Sequence, residues 1–309
     1  MPRFDLTVAG ELNLDLILYG LPEQLPTERE FLADRLMLTL GSSSAILAHN
    51  FAALGGRVGF GSLIGDDSLG EIARQRLAAG GVDVSRIRQA AGKTTGLTVI
   101  LQHGGPRRIL TYPGTMAEMT RSDLDLDFLK SGRHFHLSSF FLQPALRPDV
   151  VQLFRAMKAA GLSTSLDTND DPEDRWQGVF EVLPYVDVFL PNEREALRMT
   201  GAATLAAALD QLAKRVPVLA VKLGAEGAVA RRGAEEFRAP AARVTAVDPV
   251  GAGDSFDAGF LYQYLRGADL AACLRYGNLA GALSTTMPGG TEAFRDRARV
   301  EQFLRQQNS

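Results

Sequence analysis

Residues 134–166 read HFHLSSFFLQPALRPDVVQLFRAMKAAGLSTSL, and they pass from a short apolar run through a helical pattern to a second apolar run. Short apolar runs bounded by turn residues are typical of buried strands, and apolar side chains three and four residues apart are typical of a helix. A strand, a helix and a second strand in this order predict two parallel strands joined by a helical crossover.

The same alternation extends over most of the chain. Apolar runs predict strands at Leu6–Ala9, Val58–Gly61, His134–Leu137, Ser163–Leu166, Val186–Leu190 and Val218–Lys222. Helical spacing predicts helices at Ser44–Leu54, Ser68–Ala79, Pro148–Ala160, Arg175–Leu183, Arg194–Thr200 and Leu205–Arg215, and after Pro240 at Ser255–Leu265, Leu270–Ser284 and Ala298–Arg305. We therefore expect a single α/β domain over residues 1–309, with three layers (α/β/α) and a mainly parallel central sheet.

Two segments break this alternation, at about residues 12–40 and 94–115. The second contains two β-rich runs on either side of a polar turn, HGGPRR, as in a hairpin. We expect the two segments to form a small antiparallel accessory sheet.

Composition excludes several classes of protein. The net charge of −3, with acidic and basic residues interspersed, gives no basic face for nucleic acid. The single cysteine, Cys273, lies in an apolar helical pattern and is expected to be a buried thiol. The start of the chain does not resemble a signal peptide, and no apolar run is long enough to cross a membrane. We expect a cytoplasmic protein that does not bind membranes.

The stretch DPVGAGDSFDAGFL, residues 248–261, places a glycine-flanked turn directly before a predicted helix. Gly251, Ala252 and Gly253 lack bulk, so their backbone N–H groups can approach an anion closely, and the positive end of the helix favours negative charge. Pro249 would make the entry to the turn rigid, and Asp248 could accept hydrogen bonds that fix it. This turn is a candidate site for a transferring phosphoryl group.

Asp254, which follows the turn, has two possible roles. It could be the N-cap of the helix, because Asp is favoured there. It could instead be a carboxylate beside a bound phosphate that takes the proton from an attacking hydroxyl. The residues alone do not choose between them.

This stretch closely resembles the signature of the ribokinase-like (PfkB) carbohydrate kinases, and a second signature of that family resembles residues 40–71, LGSSSAILAHNFAALGGRVGFGSLIGDDSLGE. The resemblance implies an ATP-dependent phosphotransferase with an alcohol acceptor. It also implies that Asp254 is the general base and that the amides of Gly251, Ala252 and Gly253 form the anion hole.

The run VKLGAEGAV, residues 221–229, is typical of a hairpin with permissive glycines. It resembles the family segment that borders the ATP site. The resemblance implies that Lys222 and Gly224 lie near the phosphates and ribose, that Gly227 shapes the same wall, and that Asn278 lies beside the adenine. Without the resemblance, Asn278 is interpreted as a solvated helical residue.

The run DVFLPNEREAL, residues 187–197, predicts the start of a helix with Asn192 as its cap and Glu195 completing a capping box. The family resemblance adds that Glu195 organises water and Mg²⁺ around the phosphates, with Asn192 in the same motif. It also implies a site for a monovalent cation such as K⁺ at Asp248 and the Val250 carbonyl.

On the acceptor side, AGELNLDLIL places Asn13 and Asp15 just after the first strand. Without the resemblance, this is an ordinary half-exposed strand. The resemblance makes Asp15 the carboxylate that binds acceptor hydroxyls and Asn13 a neighbouring contact. The paired glycines of the family correspond to Gly41 and Ser42, and its substrate-binding Asn to Ile46. The replacement of this Asn by Ile46 favours either an acceptor with an apolar surface at Ile46 or an acceptor whose polar groups are bound by Ser42 and its neighbours.

A second departure lies in DTNDDPEDRW, residues 167–176. The segment resembles the family's Asp-x-Asn motif, which makes Asp167 and Asn169 substrate-binding candidates, but Asp171 stands where an Arg is usual. Arg175 is a possible substitute. The acidic residues here predict a negative field, which favours a neutral acceptor.

The resemblance makes the accessory sheet a lid that closes over the acceptor, and in this family the lid often forms a dimer interface. Two alternatives remain open. One is a nucleoside kinase of the same fold, with Ile46 and Phe31 or Phe51 against the base. The other is a binding protein that has lost efficient transfer.

Overall fold

A computed structural model describes residues 2–103 and 107–307, so the centre of the HGGPRR turn, residues 104–106, lies outside the described residues. The strands are β1 Phe4–Ala9, β2 Leu14–Tyr19, β3 Arg35–Leu40, β4 Val58–Gly65, β5 Asp83–Ala90, β6 Leu97–Gln102, β7 Arg107–Tyr112, β8 Gly132–Leu137, β9 Ser163–Leu166, β10 Val188–Phe189, β11 Val218–Lys222, β12 Ala228–Arg232 and β13 Glu235–Ala239. The helices are α1 Ser43–Ala53, α2 Ser68–Ala79, α3 Thr115–Glu118, α4 Leu126–Lys130, α5 Val150–Ala159, α6 Val179–Val182, α7 Glu193–Thr200, α8 Leu205–Leu212, α9 Ala252–Tyr264, α10 Leu270–Thr285 and α11 Arg297–Gln307.

Nine strands form the large sheet, in the order β13-β12-β11-β10-β9-β8-β1-β4-β5. From β11 to β5 all neighbours are parallel, whereas β12 and β13 are added as antiparallel strands. Side chains of a strand alternate between the two faces of its sheet. In β11, Val218 and Ala220 belong to one apolar cluster, whereas Leu219 and Val221 belong to another. Both faces are therefore covered, and the predicted three-layer α/β fold is confirmed.

The small sheet has four strands in the order β3-β2-β6-β7. The outer pairs are antiparallel, as the hairpin pattern predicted, but the central pair β2 and β6 is parallel. The prediction of an all-antiparallel sheet was wrong. The two central strands follow β1 and β5, which point the same way in the large sheet, and so both enter the small sheet from the same edge.

The small sheet packs over the carboxyl ends of the large-sheet strands. Ile17 and Ile100, on its inner face, form an apolar cluster with Val250 from the turn before α9. The Thr39 hydroxyl donates a hydrogen bond of 2.9 Å to the Glu292 carboxylate. Parallel sheets bind ligands at the carboxyl ends of their strands, and the small sheet therefore covers the expected site.

Two local predictions were wrong. The helix expected at 175–183 begins only at Val179, because the Asp171 carboxylate accepts hydrogen bonds from the N–H groups of Arg175 and Trp176 and holds them in a turn. In addition, β5 and β13 were not predicted. Cys273 is buried, as expected.

Candidate active site

Asp254 lies in the first turn of α9 and is not its cap. The cap position is occupied by Gly251, in a left-handed conformation with φ of 71°, and the helix begins at Ala252. A Cβ atom on Gly251 would stand 2.5 Å from the Gly290 Cα atom, so both the conformation and the space require glycine. The N-cap interpretation of Asp254 was therefore wrong, and its buried carboxylate needs another explanation.

The environment of Asp254 raises its pKa to about 6. Burial is the largest cause, and the negative charges of Asp167 and Glu11 act in the same direction. Lys222 and a hydrogen bond from the Ser43 side chain oppose them. A general base works best when its pKa lies near the operating pH. Asp254 is ionised at neutral pH and is a stronger base there than an exposed aspartate.

The turn before α9 is fixed by Asp248, which is almost fully buried. One of its carboxylate oxygens accepts a hydrogen bond of 3.0 Å from the Val250 N–H group. The other accepts hydrogen bonds from the Gly289 N–H group at 3.1 Å and from the Tyr19 hydroxyl at 3.3 Å. Asp248 thus fixes the turn, as predicted, and Tyr19 links it to the small sheet.

Lys222, at the end of β11, lies beside the same turn. A Cβ atom on Gly253 would stand 3.7 Å from the Lys222 ammonium nitrogen. The ammonium group donates hydrogen bonds of 2.7 Å to Asp167 and of 3.1 and 3.2 Å to Asp257. Burial lowers the pKa of Lys222, but these carboxylates raise it above its usual value. A fixed positive charge therefore stands next to the candidate anion hole.

Asn192 and Glu195 form the predicted capping box at the start of α7. The Asn192 side chain accepts a hydrogen bond of 2.9 Å from the Glu195 N–H group, and the Glu195 carboxylate accepts one of 2.9 Å from the Asn192 N–H group. A β-bridge joins Asn192 to Lys222. Burial and the charge of Asp167 raise the pKa of Glu195 to about 8.

The glycines after β11 differ in what surrounds them. Gly224 has a φ of 59°, and a Cβ atom there would meet nothing within 4 Å, so its surface is open. Gly227 has a φ of 96°, and its Cβ atom would stand 2.1 Å from the Ala239 carbonyl oxygen. Asn278 donates hydrogen bonds to that carbonyl and to the Pro240 carbonyl, at 3.0 and 2.9 Å. Asn278 is buried, and its interpretation as a solvated residue was wrong.

Asn13 and Asp15 are both buried where β2 begins, so the half-exposed strand was a wrong prediction. The Asn13 amide nitrogen donates a hydrogen bond of 3.2 Å to the Thr98 hydroxyl, whereas its buried Oδ1 atom has no partner among the described residues. Burial and the charges of Asp254 and Asp248 raise the pKa of Asp15 to about 7. A Cβ atom on Gly41 would stand 2.3 Å from an Asp15 carboxylate oxygen.

The second signature lies at the start of α1. Ser42 is the N-cap, and its hydroxyl oxygen accepts a hydrogen bond of 3.1 Å from the Ala45 N–H group. Ile46 is buried. A Cβ atom on Gly251 would stand 3.2 Å from the Ile46 Cδ1 atom, and a Cβ atom on Gly290 would stand 2.5 Å from it. Ile46 thus supports the turn before α9, and an apolar contact of this residue with the acceptor stays a prediction.

The DTNDDPEDRW segment does not form the negative surface that was predicted. Asp167 is fully buried and paired with Lys222, and Asn169 accepts a hydrogen bond of 2.8 Å from the Ser139 N–H group. Asp171 is buried within its own turn. The charges around it are paired, Asp170 with Arg194 at 3.1 Å, Asp174 with Arg198 at 3.3 Å and Glu173 with Arg175. The argument for a neutral acceptor from this segment therefore fails, and Arg175 does not replace the missing arginine.

Several polar residues of the site were missed. Glu11 is buried beside Ser44 and Ser139, and Asp257 binds Lys222 one helical turn after Asp254. The (i, i+3) spacing of Asp254 and Asp257 could have revealed the second carboxylate, because such residues share a helix face. Nothing local points to Glu11 or Ser139, which meet only in the folded chain. Phe51 is packed in the core against Tyr262, so it cannot contact a nucleobase.

A family model described as pfkB family carbohydrate kinase matches residues 4–297. The chain belongs to this family. A 2-dehydro-3-deoxygluconokinase of Bacillus subtilis is 30% identical over 87% of this chain and 88% of its own length. A putative ribokinase II of E. coli in complex with ATP and Mg²⁺ superposes with a TM-score of 0.86 at 25% identity, covering 98% of this chain and 99% of that one. An adenosine kinase of Sinorhizobium meliloti superposes with a TM-score of 0.85 at 26% identity, covering 98% of this chain and 99% of that one.

The chain is thus an ATP-dependent carbohydrate kinase, which phosphorylates a sugar-like substrate. The alternative of a binding protein without transfer is set aside. Among the described residues, no helix is both long and apolar enough to cross a membrane.

Proposed function

We propose that Asp254 is the general base of this kinase and that the backbone amides of Gly251, Ala252 and Gly253 form its anion hole. The observation that carries the proposal is the buried carboxylate of Asp254, which stands in the first turn of a helix capped by a glycine. Asp254 takes the proton of the acceptor hydroxyl as the acceptor oxygen bonds to the γ-phosphorus. The bond from the γ-phosphorus to the β–γ bridging oxygen breaks, and ADP leaves.

The nucleotide is assigned to the groove beside Lys222. The fixed ammonium group of Lys222 next to Gly253 supports a role near the phosphates, and the open surface of Gly224 supports close approach of the nucleotide. Gly227 and Asn278 hold the 239–241 backbone and so shape the wall of the adenine site. Asn278 acts on the adenine site through this backbone, because its amide nitrogen already donates two hydrogen bonds to the Ala239 and Pro240 carbonyls.

Mg²⁺ would be held through water near Asn192 and Glu195. No group of three or more His, Cys, Asp or Glu side chains able to hold a metal occurs in the described part of the chain. Mg²⁺ commonly keeps several waters and binds through few carboxylates, so one buried carboxylate fits it. When bound, Mg²⁺ neutralises charge on the phosphates. Asp248 and the Val250 carbonyl are proposed for K⁺, supported by the buried Asp248 carboxylate.

The acceptor is assigned to the space between the small sheet, Asp254 and the loop before α1. The unpartnered Oδ1 atom of Asn13 and the buried carboxylate of Asp15 support contacts with hydroxyl groups. Gly41 leaves room for Asp15, and Ser42 and Asn169 hold the two loops that border the space. Asp167 acts through Lys222 and does not touch the acceptor.

The small sheet, residues 12–40 and 94–115, is proposed as the lid of this site. Three large apolar side chains on its outer face, Leu36, Leu110 and Tyr112, are 60, 58 and 57% exposed. They support a homodimer through the lid, which Leu110→Asp would dissociate in sedimentation velocity experiments. The use of ATP favours the cytoplasm as the compartment.

The test is release of ADP with ATP and Mg²⁺ across hexoses, pentoses, sugar acids, polyols and nucleosides, for the natural protein and for Asp254→Asn. We expect the variant to lose about two to four orders of magnitude in rate, the usual contribution of a general base, while it still binds ATP. Asp127→Asn, in the exposed first turn of α4, is the matched control and should be unaffected. An Asp254→Asn protein of normal activity would refute the assignment.

A further inference from the structure

A cavity of about 440 Å³ lies between α1, the end of α2 and the segment 291–297. Its wall combines apolar side chains, among them Leu40, Ala52 and Phe294, with three arginines and His49. None of the residues assigned above to the nucleotide, the phosphates or the acceptor lines it. The cavity is therefore separate from the active site.

The hydrogen bonds around His49 determine which of its ring nitrogens carries the proton. The Asn50 amide nitrogen donates hydrogen bonds of 2.9 Å to the Gly290 carbonyl and to the Ser255 hydroxyl. A carbonyl only accepts, so the nitrogen of this amide must face Gly290 and its Oδ1 atom must face His49. The His49 Nδ1 atom, 2.9 Å from Oδ1, is therefore the protonated donor.

The other ring nitrogen of His49, Nε2, is consequently a hydrogen-bond acceptor. Burial lowers the pKa of His49, so the ring is neutral at pH 7. His49 is only 4% exposed, and Nε2 has no hydrogen-bond partner among the described residues. A Cβ atom on Gly80, which also lines the cavity, would stand 2.8 Å from Nε2. A buried acceptor without a partner is costly, and Nε2 is thus available to a hydroxyl group in the cavity.

Arg76, on α2, supplies a cation to the same cavity. One nitrogen of its guanidinium group donates a hydrogen bond to the Leu38 carbonyl on β3. Within the described part of the chain, no carboxylate lies within ion-pair distance of Arg76. Its neighbour on the helix, Arg74, is paired with Glu71 at 2.7 Å and does not line the cavity. The charge of Arg76 is therefore not neutralised by an acidic residue.

The segment 291–297 adds two more arginines at the rim. Arg295 is paired with Glu292 at 3.0 Å, and Arg297 with Glu301 at 3.3 Å, and both arginines are largely exposed. Glu292 is the one acidic residue among the described residues that line the cavity, and it also accepts the hydrogen bond of Thr39. The lining thus carries three positive charges and one negative charge, which favours an anionic ligand.

We propose that this cavity is a second ligand site of the kinase, apart from its active site, and that it takes a small hydroxylated phosphate monoester such as a sugar phosphate. Guanidinium groups match the geometry of phosphate oxygens. A fully ionised phosphate has no proton to donate, so the group that bonds to His49 Nε2 is a hydroxyl of the rest of the ligand. The cavity volume is typical of small-molecule sites, which range from about 300 to 1,000 Å³.

The experiment titrates the protein with D-ribose 5-phosphate at pH 8 and follows the ring nitrogens of ¹⁵N-labelled histidine by NMR. The chain has four histidines, and the signals that His49→Gln lacks belong to His49. We expect an unprotonated Nε2 in the free protein and a saturable shift of its signal with the ester. D-ribose should give no such shift, and inorganic phosphate should bind about tenfold or more weakly, because it lacks the sugar hydroxyls. Calorimetry of the same titrations measures the affinities without any assignment.

Three variants locate the binding. Arg76→Gln should weaken the affinity for the ester by about tenfold or more, the usual effect of losing a hydrogen bond to a charged group. Arg74→Gln, on the same helix but outside the cavity, is the matched control and should bind normally. Asp15→Asn changes the proposed acceptor site and should leave the shift at His49 as it is.

Four results would overturn the proposal. One is a protonated Nε2 in the free protein, which could not accept a hydroxyl. The second is the absence of a saturable shift with the ester. The third is equal affinity for inorganic phosphate and the ester, which would show an anion site only. The last is a loss of binding in Asp15→Asn with none in Arg76→Gln, which would place the ester in the acceptor site.

Discussion

The two sides of Asp254 are built in different ways. On the side proposed for the phosphates, the turn before α9 consists of backbone and small residues, with Gly251 capping α9 and Asp248 fixing the turn. The side proposed for the acceptor consists of side chains from distant segments, among them Asp15 and Asn169. Backbone geometry tolerates few sequences, whereas a side-chain network can be rebuilt from other residues. The reaction is therefore easier to infer from this sequence than its acceptor.

Gly251→Ala should have the largest effect on the phosphate side. The new Cβ atom would meet the Gly290 Cα atom at 2.5 Å and would oppose a φ of 71°. We expect kcat to fall by about two to three orders of magnitude, as when a donor of an anion hole is displaced. The fall in kcat is measured as the rate of ADP release at saturating ATP and acceptor.

Gly201→Ala is the matched control for this change. Gly201 has a φ of 65°, but its Cβ atom would meet nothing within 4 Å. The Gly201→Ala variant should have a slightly lower free energy of unfolding and an unchanged kcat. Equal kinetic loss in both variants would show that conformational strain, and not the shape of the turn, is responsible.

Lys222→Met tests whether the fixed cation beside Gly253 also holds the fold. The change leaves Asp167 and Asp257 buried without their partner. Breaking a buried pair in this way typically costs about 3–5 kcal/mol, and the free energy of unfolding in urea should fall by that amount at pH 8.

The comparison for Lys222 is Lys158→Met, which breaks a more exposed pair with Asp187. Exposed pairs contribute about 0–1 kcal/mol. If the free energy of unfolding fell by the same small amount in both variants, the cluster around Lys222 would not be a stabilising element.

Asp15→Asn should have a smaller and more selective effect, confined to the acceptor side. An amide accepts hydroxyl hydrogen bonds less strongly than a carboxylate, so KM for the acceptor should rise about tenfold while KM for ATP stays the same. Asp34→Asn, an exposed change directly before β3 of the small sheet, is the control. An equal rise in both KM values would remove Asp15 from the acceptor site.

The sequence predicted the central strands and most helices because these bury continuous or periodic apolar runs. It missed β5 and β13, the two edge strands, whose side chains are largely solvent-facing. The glycine turn and Asp254 could be found because their residues are adjacent in the chain. Glu11, Ser44 and Ser139 could not, because contacts between residues 33 and 128 positions apart depend on the complete fold.

The pH dependence of kcat, at saturating ATP and acceptor, tests the role of Asp254 most directly. Saturation limits the influence of Asp15 and Glu195, whose proposed roles are in binding and whose pKa values are about 7 and 8. Asp254 accepts a proton only when ionised, and burial raises its pKa from 3.8 to about 6. In the natural protein, kcat should therefore fall tenfold per pH unit below about pH 6 and level off above it. Asp15→Asn should show the same pH dependence. The residual kcat of Asp254→Asn should not fall below pH 6. A kcat that stays constant from pH 5 to 8, or the same limb in Asp254→Asn, would contradict the account.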